Sequence, residues 1–322
     1  MIESTSAADG ELTLVIDEVN LPADDIVALT LVHPSGDELP EWTPGAHIDL
    51  VLGDRLIRQY SLCGDPADRT RYRVAVLREP NGRGGSAHVH AHLTPGTKVT
   101  VCGPRNHFTL HRAPAYLFIA GGIGITPILP MIARADEEGA DWRLLYGGRR
   151  AESMAFRDEL QTRYGARVTS CPQDTHGLLD LATAVDDLAV GTLVYCCGPE
   201  PLLDAVDTAC QNLPDGTLHV ERFSAKPLDE PIRTGDFEVV LQQSGLTLTV
   251  PPDLSILEVV TAAGVEVTYS CEDGICGSCE TPVLAGTPDH RDSVLDDDEK
   301  ARNDAMMICV SRSCSARIEL DL

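Results

Sequence analysis

Positive charge is in short supply in this chain. Across 322 residues, 25 Lys and Arg stand against 50 Asp and Glu, a formal net charge of −25. Phosphate binding on a nucleic acid needs a basic face, so the balance argues against such a partner. Long apolar runs are missing too, since no stretch approaches the roughly 18 residues that span a bilayer. The opening MIESTSAADGELTL has neither the basic n-region nor the apolar h-region of a secretory leader, so a cytoplasmic protein without a membrane partner is expected. Internal repeats and low-complexity tracts are absent as well. The remaining composition, 43% hydrophobic and 23% charged, is that of a globular protein with room for two or three cores.

Cysteine, by contrast, is plentiful. Eleven cysteines without a leader point to metal ligation and free thiols rather than disulfides. Four of them form a pattern: Cys271, Cys276 and Cys279 are spaced Cys-x4-Cys-x2-Cys, and Cys309 follows after 29 residues. Three thiolates on one tight loop plus a remote fourth is the plant-type arrangement for a [2Fe-2S] cluster. Gly274 and Gly277 suit such a loop, because it needs backbone freedom and close approach of N–H groups to sulfur. A zinc site is the alternative, but zinc usually takes Cys-x2-Cys pairs on both sides and the second half has none. Cys314, in SRSCSAR, competes for the last ligand position and reads better as an ordinary polar thiol. From Gly235 to Leu322 there are 17 acidic and 5 basic residues. Either plain solvation or a patch that steers a basic partner accounts for that excess.

Taken in order, the first hundred or so residues alternate apolar and polar positions in LTLVI, IVALTLV, HIDLVL, YRVAVL and KVTVCG, which predicts a β-barrel. Within it, Arg58-Gln59-Tyr60-Ser61 offers a charge and a flat ring on one strand, and Gly84-Gly85-Ser86 precedes the short helical HVHAHL, where backbone N–H groups would meet an anion. From about Ala115 strands alternate with helices, which predicts a parallel sheet. AYLFIAGGIGITPILPMI reads as a strand, a turn at Gly121-Gly122-x-Gly124 and a helix start, with Thr126 and Pro127 in cap and first-turn positions ahead of a helical ARADEEGA. AESMAFRDELQTRY reads as one helix. Cys196-Cys197-Gly198-Pro199 closes a later strand at the edge where open α/β sheets bind ligands. Lys226 to Thr234 reads as a linker, and a hairpin, a helix ended by Gly264, the thiol loop and closing strands then suggest a small β-grasp sheet.

With these motifs in place, the chain resembles the phthalate dioxygenase reductase family over nearly its whole length. RQYSL with GRGGS, AGGIGITP with YCCGP, and the four-thiol pattern occur in family order. The resemblance implies a flavin (FMN)-binding Greek-key β-barrel domain over residues 1–110, a Rossmann-like NAD(P)-binding domain over 111–225, a linker over 226–234 and a plant-type [2Fe-2S] ferredoxin domain over 235–322. It implies that Arg58, Gln59, Tyr60 and Ser61 contact the flavin, that Gly84, Gly85 and Ser86 take its phosphate, and that backbone groups of Ala75, Val76 and Leu77 face its ring. Phe223 would cover that ring, and Thr126 would reach both cofactors. Gly121, Gly122, Ile123, Gly124, Ile125 and Thr126 with Cys197, Gly198 and Pro199 would hold the dinucleotide, and Cys271, Cys276, Cys279 and Cys309 the iron.

The activity implied is NAD(P)H-dependent electron transfer through FMN and the cluster to a terminal oxygenase, a Rieske-type aromatic-ring dioxygenase or O-demethylase, with no side chain acting as acid or base. A P450 monooxygenase is the alternative acceptor, and a non-turnover redox sensor is a reading of another class. NADH is the expected coenzyme. NADPH stays open, because Arg149 and Arg150 stand where many family members place an acidic residue.

Overall fold

The computed structural model describes residues 11–322 apart from 54, 55, 225–227, 229 and 296. The chain divides into two compact units, 1–221 and 222–322.

In the first unit, strands β1 (Glu11–Ala23), β2 (Ile26–Val32), β3 (His47–Val51), β4 (Ile57–Ser61), β5 (Arg71–Leu77) and β6 (Lys98–Arg105) form an antiparallel sheet in the order β4-β3-β6-β1-β2-β5. A bridge between Leu62 and Val74 links the two edges and closes the barrel. Alternation does the work, since Leu14, Ile16, Leu29, Leu31, Ile48, Leu50, Val74 and Val101 point inward and are almost wholly buried. Helix α1 (Gly85–His92) plugs one end with Val89 and is followed by Leu93, both in that core.

The next segment is a five-stranded parallel sheet, order β11-β10-β7-β8-β9, made of β7 (Ala115–Gly121), β8 (Asp141–Gly148), β9 (Val168–Pro172), β10 (Thr192–Cys197) and β11 (Leu218–Glu221). Helices α2 (Ile125–Glu137), α3 (Arg157–Tyr164), α4 (Gln173–His176), α5 (Leu181–Asp186) and α6 (Glu200–Cys210) connect the strands. Barrel residues Ile26, Ala28, Cys63 and Ala75 join Phe108, Phe118, Met131 and Tyr195 in one core, so barrel and parallel sheet pack as a single body.

Two local expectations need correction. Thr126 does not cap α2: Gly124 takes that place, and Thr126 sits inside the first turn, its hydroxyl donating to the Ile123 carbonyl at 3.0 Å. The helix then runs unbroken through ARADE, because Pro127 falls in the first turn and Pro130 forgoes only one early backbone bond. AESMAFRDELQTRY is likewise not one helix. A 3-10 turn at Ala151–Ser153 gives way to Phe156 in the left-handed region (φ 61°), and α3 starts only at Arg157. Packing holds the break open, with the Phe156 ring buried under the Arg73 guanidinium at 4.7 Å.

The second unit pairs β12 (Phe237–Leu241), β13 (Leu246–Val250), β14 (Glu280–Ala285), β16 (Ala305–Met307) and β18 (Arg317–Leu320) in the order β13-β12-β18-β14-β16, with β15 (Pro288–Asp289) and β17 (Arg312–Ser313) as a separate pair. Helix α7 (Ile256–Ala262) lays Ile256, Leu257 and Val260 on this sheet, and α8 (Asp297–Arg302) precedes β16. Ser255 and Glu258 form a reciprocal capping box at the start of α7, and Gly264 (φ 82°) ends it, as its place in the sequence predicts. Of the expected linker 226–234, residues 226, 227 and 229 lie outside the described residues. Among the described residues, no helix is long and apolar enough to cross a membrane.

Candidate cofactor sites

Strand β4 and the start of α1 build the first site. Gly84 caps the helix in the left-handed region (φ 85°), and Gly85 lies so close to Arg58 that an added Cβ would stand 2.4 Å from Arg58 Cγ and 2.9 Å from Nε. The guanidinium donates to the carbonyls of Ile57 and Arg83 at 2.7 and 3.0 Å, which fixes it beside the outward N–H groups of the helix start. The Ser86 hydroxyl accepts the Glu79 N–H at 3.0 Å and ties the loop shut. An arginine and a helix N-terminus converging on one glycine-lined spot fit a phosphate, so this chain has the donor set that a flavin phosphate requires. Next along the strand, burial pushes the Tyr60 phenol up to about 12, with Arg58 pulling the other way, so the ring stays neutral and presents a flat face. Gln59 is partly buried. Ala75, Val76 and Leu77 pair with Ala28, Val27 and Ile26, and the Val76 carbonyl meets His90 Nε2 at 2.9 Å.

The second site is the edge of the parallel sheet. A Cβ on Gly124 would fall 2.2 Å from the Cys197 carbonyl oxygen, and one on Gly121 would fall 2.7 Å from Pro199 Cδ and Leu202 Cδ2. The glycine turn and the CysGlyPro strand end, 73 residues apart between Gly124 and Cys197, are therefore in direct backbone contact. Gly122 adopts φ 55°, and Ile123 and Gly122 complete the 3-10 turn that feeds Ile125 into α2. The two arginines at the end of β8 separate. Arg150 lies 3.8 Å from Asp24, whereas Arg149 is exposed and its carbonyl accepts the Asp174 N–H at 3.2 Å.

Between these two sites the structure brings together a group the sequence did not announce. Glu221, the last residue of β11, places Oε2 3.8 Å from Cys197 Sγ and hydrogen-bonds with Ser61. The residue keeps some exposed surface, but its carboxyl tip is enclosed, and burial raises it to about 8 against the opposing pull of Cys197 and Ser61. Burial and the Glu221 carboxylate likewise hold the Cys197 thiol far above its usual range, so it is an inert neighbour and not a nucleophile. Cys196, one residue earlier, points to the opposite face and packs with Leu117, Ile119 and Leu203. The only trace of Glu221 in the sequence was an acidic residue closing an otherwise apolar strand, HVE.

In the second unit the four thiols meet. Cys271 contacts Cys276 and Cys309, and Cys309 also contacts Cys279, so the sulfurs run in the order 276, 271, 309, 279. That order divides into two neighbouring pairs, which is what a two-iron cluster asks for. Backbone N–H groups already aim at the sulfurs: Asp273 donates to Cys271 at 3.3 Å and Ser278 to Cys276 at 3.4 Å. Donation from Cys276 and Cys309 holds Cys271 well below the ordinary thiol range, and donation from Cys309 does the same for Cys279. The donors Cys276 and Cys309 are pushed up in return. Gly274 and Gly277 both have φ near 70°, and a Cβ on Gly274 would stand 2.5 Å from Val310. Cys314 is elsewhere, its Sγ 3.5 Å from the Pro288 carbonyl. Phe223 belongs to this unit and is 39% exposed.

Comparison with known proteins agrees with this inventory. The family model "2Fe-2S iron-sulfur cluster binding domain" matches residues 239–318, and "Dimethylamine monooxygenase subunit DmmA-like, N-terminal domain" matches residues 105–214. The chain is 44% identical over 321 residues to phenoxybenzoate dioxygenase subunit beta of Ectopseudomonas oleovorans, covering 99% of this chain and 100% of that one. It is 40% identical to a solved structure described as phthalate dioxygenase reductase, a modular structure for electron transfer from pyridine nucleotides to [2Fe-2S], with 98% of each chain covered and a TM-score of 0.71. The chain belongs to the phthalate dioxygenase reductase family. An intact type IV self-sufficient cytochrome P450 monooxygenase is also similar, at 42% identity and a TM-score of 0.92, with 99% of this chain but 43% of that one covered. As a member of the family the chain is an oxidoreductase with a C-terminal ferredoxin domain.

Two outcomes follow from this geometry. Glu221 is neutral at pH 7 in the folded protein, whereas an unfolded glutamate ionises near 4.5. Its folded pKa is raised, so the stability it contributes is full below pH 4.5 and is lost as pH climbs to about 8. Glu221→Gln, which cannot ionise, should flatten that part of the melting-temperature profile relative to wild type, and parallel profiles would contradict the burial argument. Cys309→Ser should abolish bound iron and the visible cluster absorbance, while Cys314→Ser should leave both intact; the reverse pattern in iron analysis would reassign the ligand.

Proposed function

We propose that the protein carries electrons from NAD(P)H through FMN and a [2Fe-2S] cluster to a terminal oxygenase, most simply a Rieske-type dioxygenase or O-demethylase, in the cytoplasm. One observation carries the reading: the phosphate cradle of Arg58 and α1 and the glycine turn beside Cys197 occur in a single body, in the same chain as a four-thiol loop. The resemblance to a dioxygenase subunit and to phthalate dioxygenase reductase, each covered almost completely, supports the acceptor class. A P450 acceptor is the second reading, supported by the close match to a self-sufficient P450 monooxygenase.

We assign the flavin phosphate to Arg58, Gly84, Gly85 and Ser86, the ring to Tyr60 and Ser61, and the dinucleotide to Gly121 to Thr126 with Cys197 to Pro199. A flavin supplies acceptance of a hydride and release of single electrons, and a [2Fe-2S] cluster supplies one-electron transfer. What this chain adds is placement. Tyr60, kept neutral by burial, gives a flat surface without competing charge. Glu221 keeps a proton on its carboxyl at neutral pH and holds Ser61 in position through their hydrogen bond. The glycine turn admits a pyrophosphate to bare backbone N–H groups. The Cys271 and Cys276 pair would hold one iron, and the Cys279 and Cys309 pair the other. The domain assignment of 1–110 to flavin, 111–225 to NAD(P) and 235–322 to the cluster, with Phe223 covering the flavin ring, belongs to the same reading.

Flavin released by heat should chromatograph as FMN, because Gly84-Gly85-Ser86 takes a terminal phosphate and no adenine platform follows in the sequence; FAD as the main species would refute it. Cytochrome c reduction driven by NADH and by NADPH tests the activity and the coenzyme together. Turnover with either establishes the reductase, since a sensor would not cycle. NADH should give the higher kcat/KM: Arg150 is drawn toward Asp24, which leaves Arg149 as the one arginine of the pair to meet a 2′-phosphate. A preference for NADPH of about tenfold or more that disappears in Arg149→Ala, the size of one charge-assisted bond, would overturn the coenzyme assignment.

A further inference from the structure

We propose that α1 carries a divalent transition-metal site on its outer face, made by His88 and His92. The helix contains three histidines in the sequence HVHAH. As a strand, that alternation would place all three on one face. As a helix it divides them, because residues four apart share a face and the middle residue turns away. The structure shows this division. His90 turns inward and meets the Val76 carbonyl at 2.9 Å. His88 and His92 stand side by side, ring centroids 4.7 Å apart and planes tilted by 55°. Among the described residues, neither of these two rings has a hydrogen bond or ion pair, so their nitrogens are uncommitted.

The spacing is that of a chelating pair. With metal–nitrogen bonds of about 2.0–2.1 Å, two imidazoles on adjacent coordination positions hold their ring centres roughly 4.5–5 Å apart. The 4.7 Å between the His88 and His92 ring centres falls in that interval. Imidazole nitrogen selects Zn2+, Ni2+ and Cu2+ over Mg2+ and Ca2+, and the remaining positions would be filled by water, since His92 is exposed and His88 partly so. The chain's net charge of −25 adds a general attraction for cations. A metal on this pair would tie one helical turn to the next in the helix whose first residues form the anion cradle. The four thiols belong to the other unit.

Iron-loaded wild type, His88→Asn, His92→Asn and the double variant are titrated with Ni2+ by calorimetry, with helix content followed by circular dichroism. Wild type should bind one equivalent more than the double variant. Each single variant should weaken that site at least as much as the roughly 10- to 100-fold that loss of an outer partner costs a metal site. Equal binding by wild type and double variant would overturn the proposal, placing the ion on thiols or carboxylates. As a readout independent of any variant's folding, nickel-edge X-ray absorption of the wild type at one equivalent should show nitrogen and oxygen neighbours only, and a sulfur shell would overturn it.

Discussion

The contact of the Gly121–Gly124 turn with the Cys197–Gly198 strand end is the constraint from which the nucleotide edge follows. At a Cβ-to-oxygen distance of 2.2 Å no side chain fits at Gly124, so the turn can be pressed against β10 only because the residue is glycine. That pressure sets where α2 begins, since the helix starts directly from the turn. It also leaves Thr126 inside the first turn, buried, with its hydroxyl proton donated to Ile123. From the other side the same strand end fixes Cys197, and through Cys197 and Ser61 it positions the Glu221 carboxyl.

Charge imposes a complementary condition. A chain at −25 cannot attract a phosphate by its general field, so anion binding must come from a few local donors. Arg58 is held against Gly85 and the start of α1 by two backbone carbonyls that accept from its guanidinium. Arg150 instead lies 3.8 Å from Asp24. The partner that sets Arg150 apart from its neighbour Arg149 stands 126 positions earlier in the chain.

The thiol loop follows the same logic with sulfur in place of phosphate. Its backbone N–H groups point at Cys271 and Cys276, and positive φ at Gly274 and Gly277 makes that wrap possible. Removing the Cβ at Gly274 matters twice, because Val310 and Asp292 occupy the space it would need. The remote thiol Cys309 is delivered by the chain after β16, and Ile308 is tied to α7 by the Leu257 N–H at 3.0 Å.

What the sequence alone determined is whatever depends on local spacing. Alternating apolar residues set the barrel strands, strand–helix alternation set the parallel sheet, Gly264 marked the end of α7, and the thiol spacing singled out the four cysteines that meet in the fold, apart from Cys314. Local spacing failed where a long-range contact outweighed it. AESMAFRDELQTRY has the composition of a helix, yet burial of Phe156 beneath Arg73 breaks it. Glu221 has no mark of its own in the sequence beyond its place at a strand end, and Ser61 and Cys197, 160 and 24 residues away, enclose its carboxyl. Only the tertiary structure decided these features, because desolvation and side-chain packing depend on residues that meet in space and leave no periodic mark along the chain.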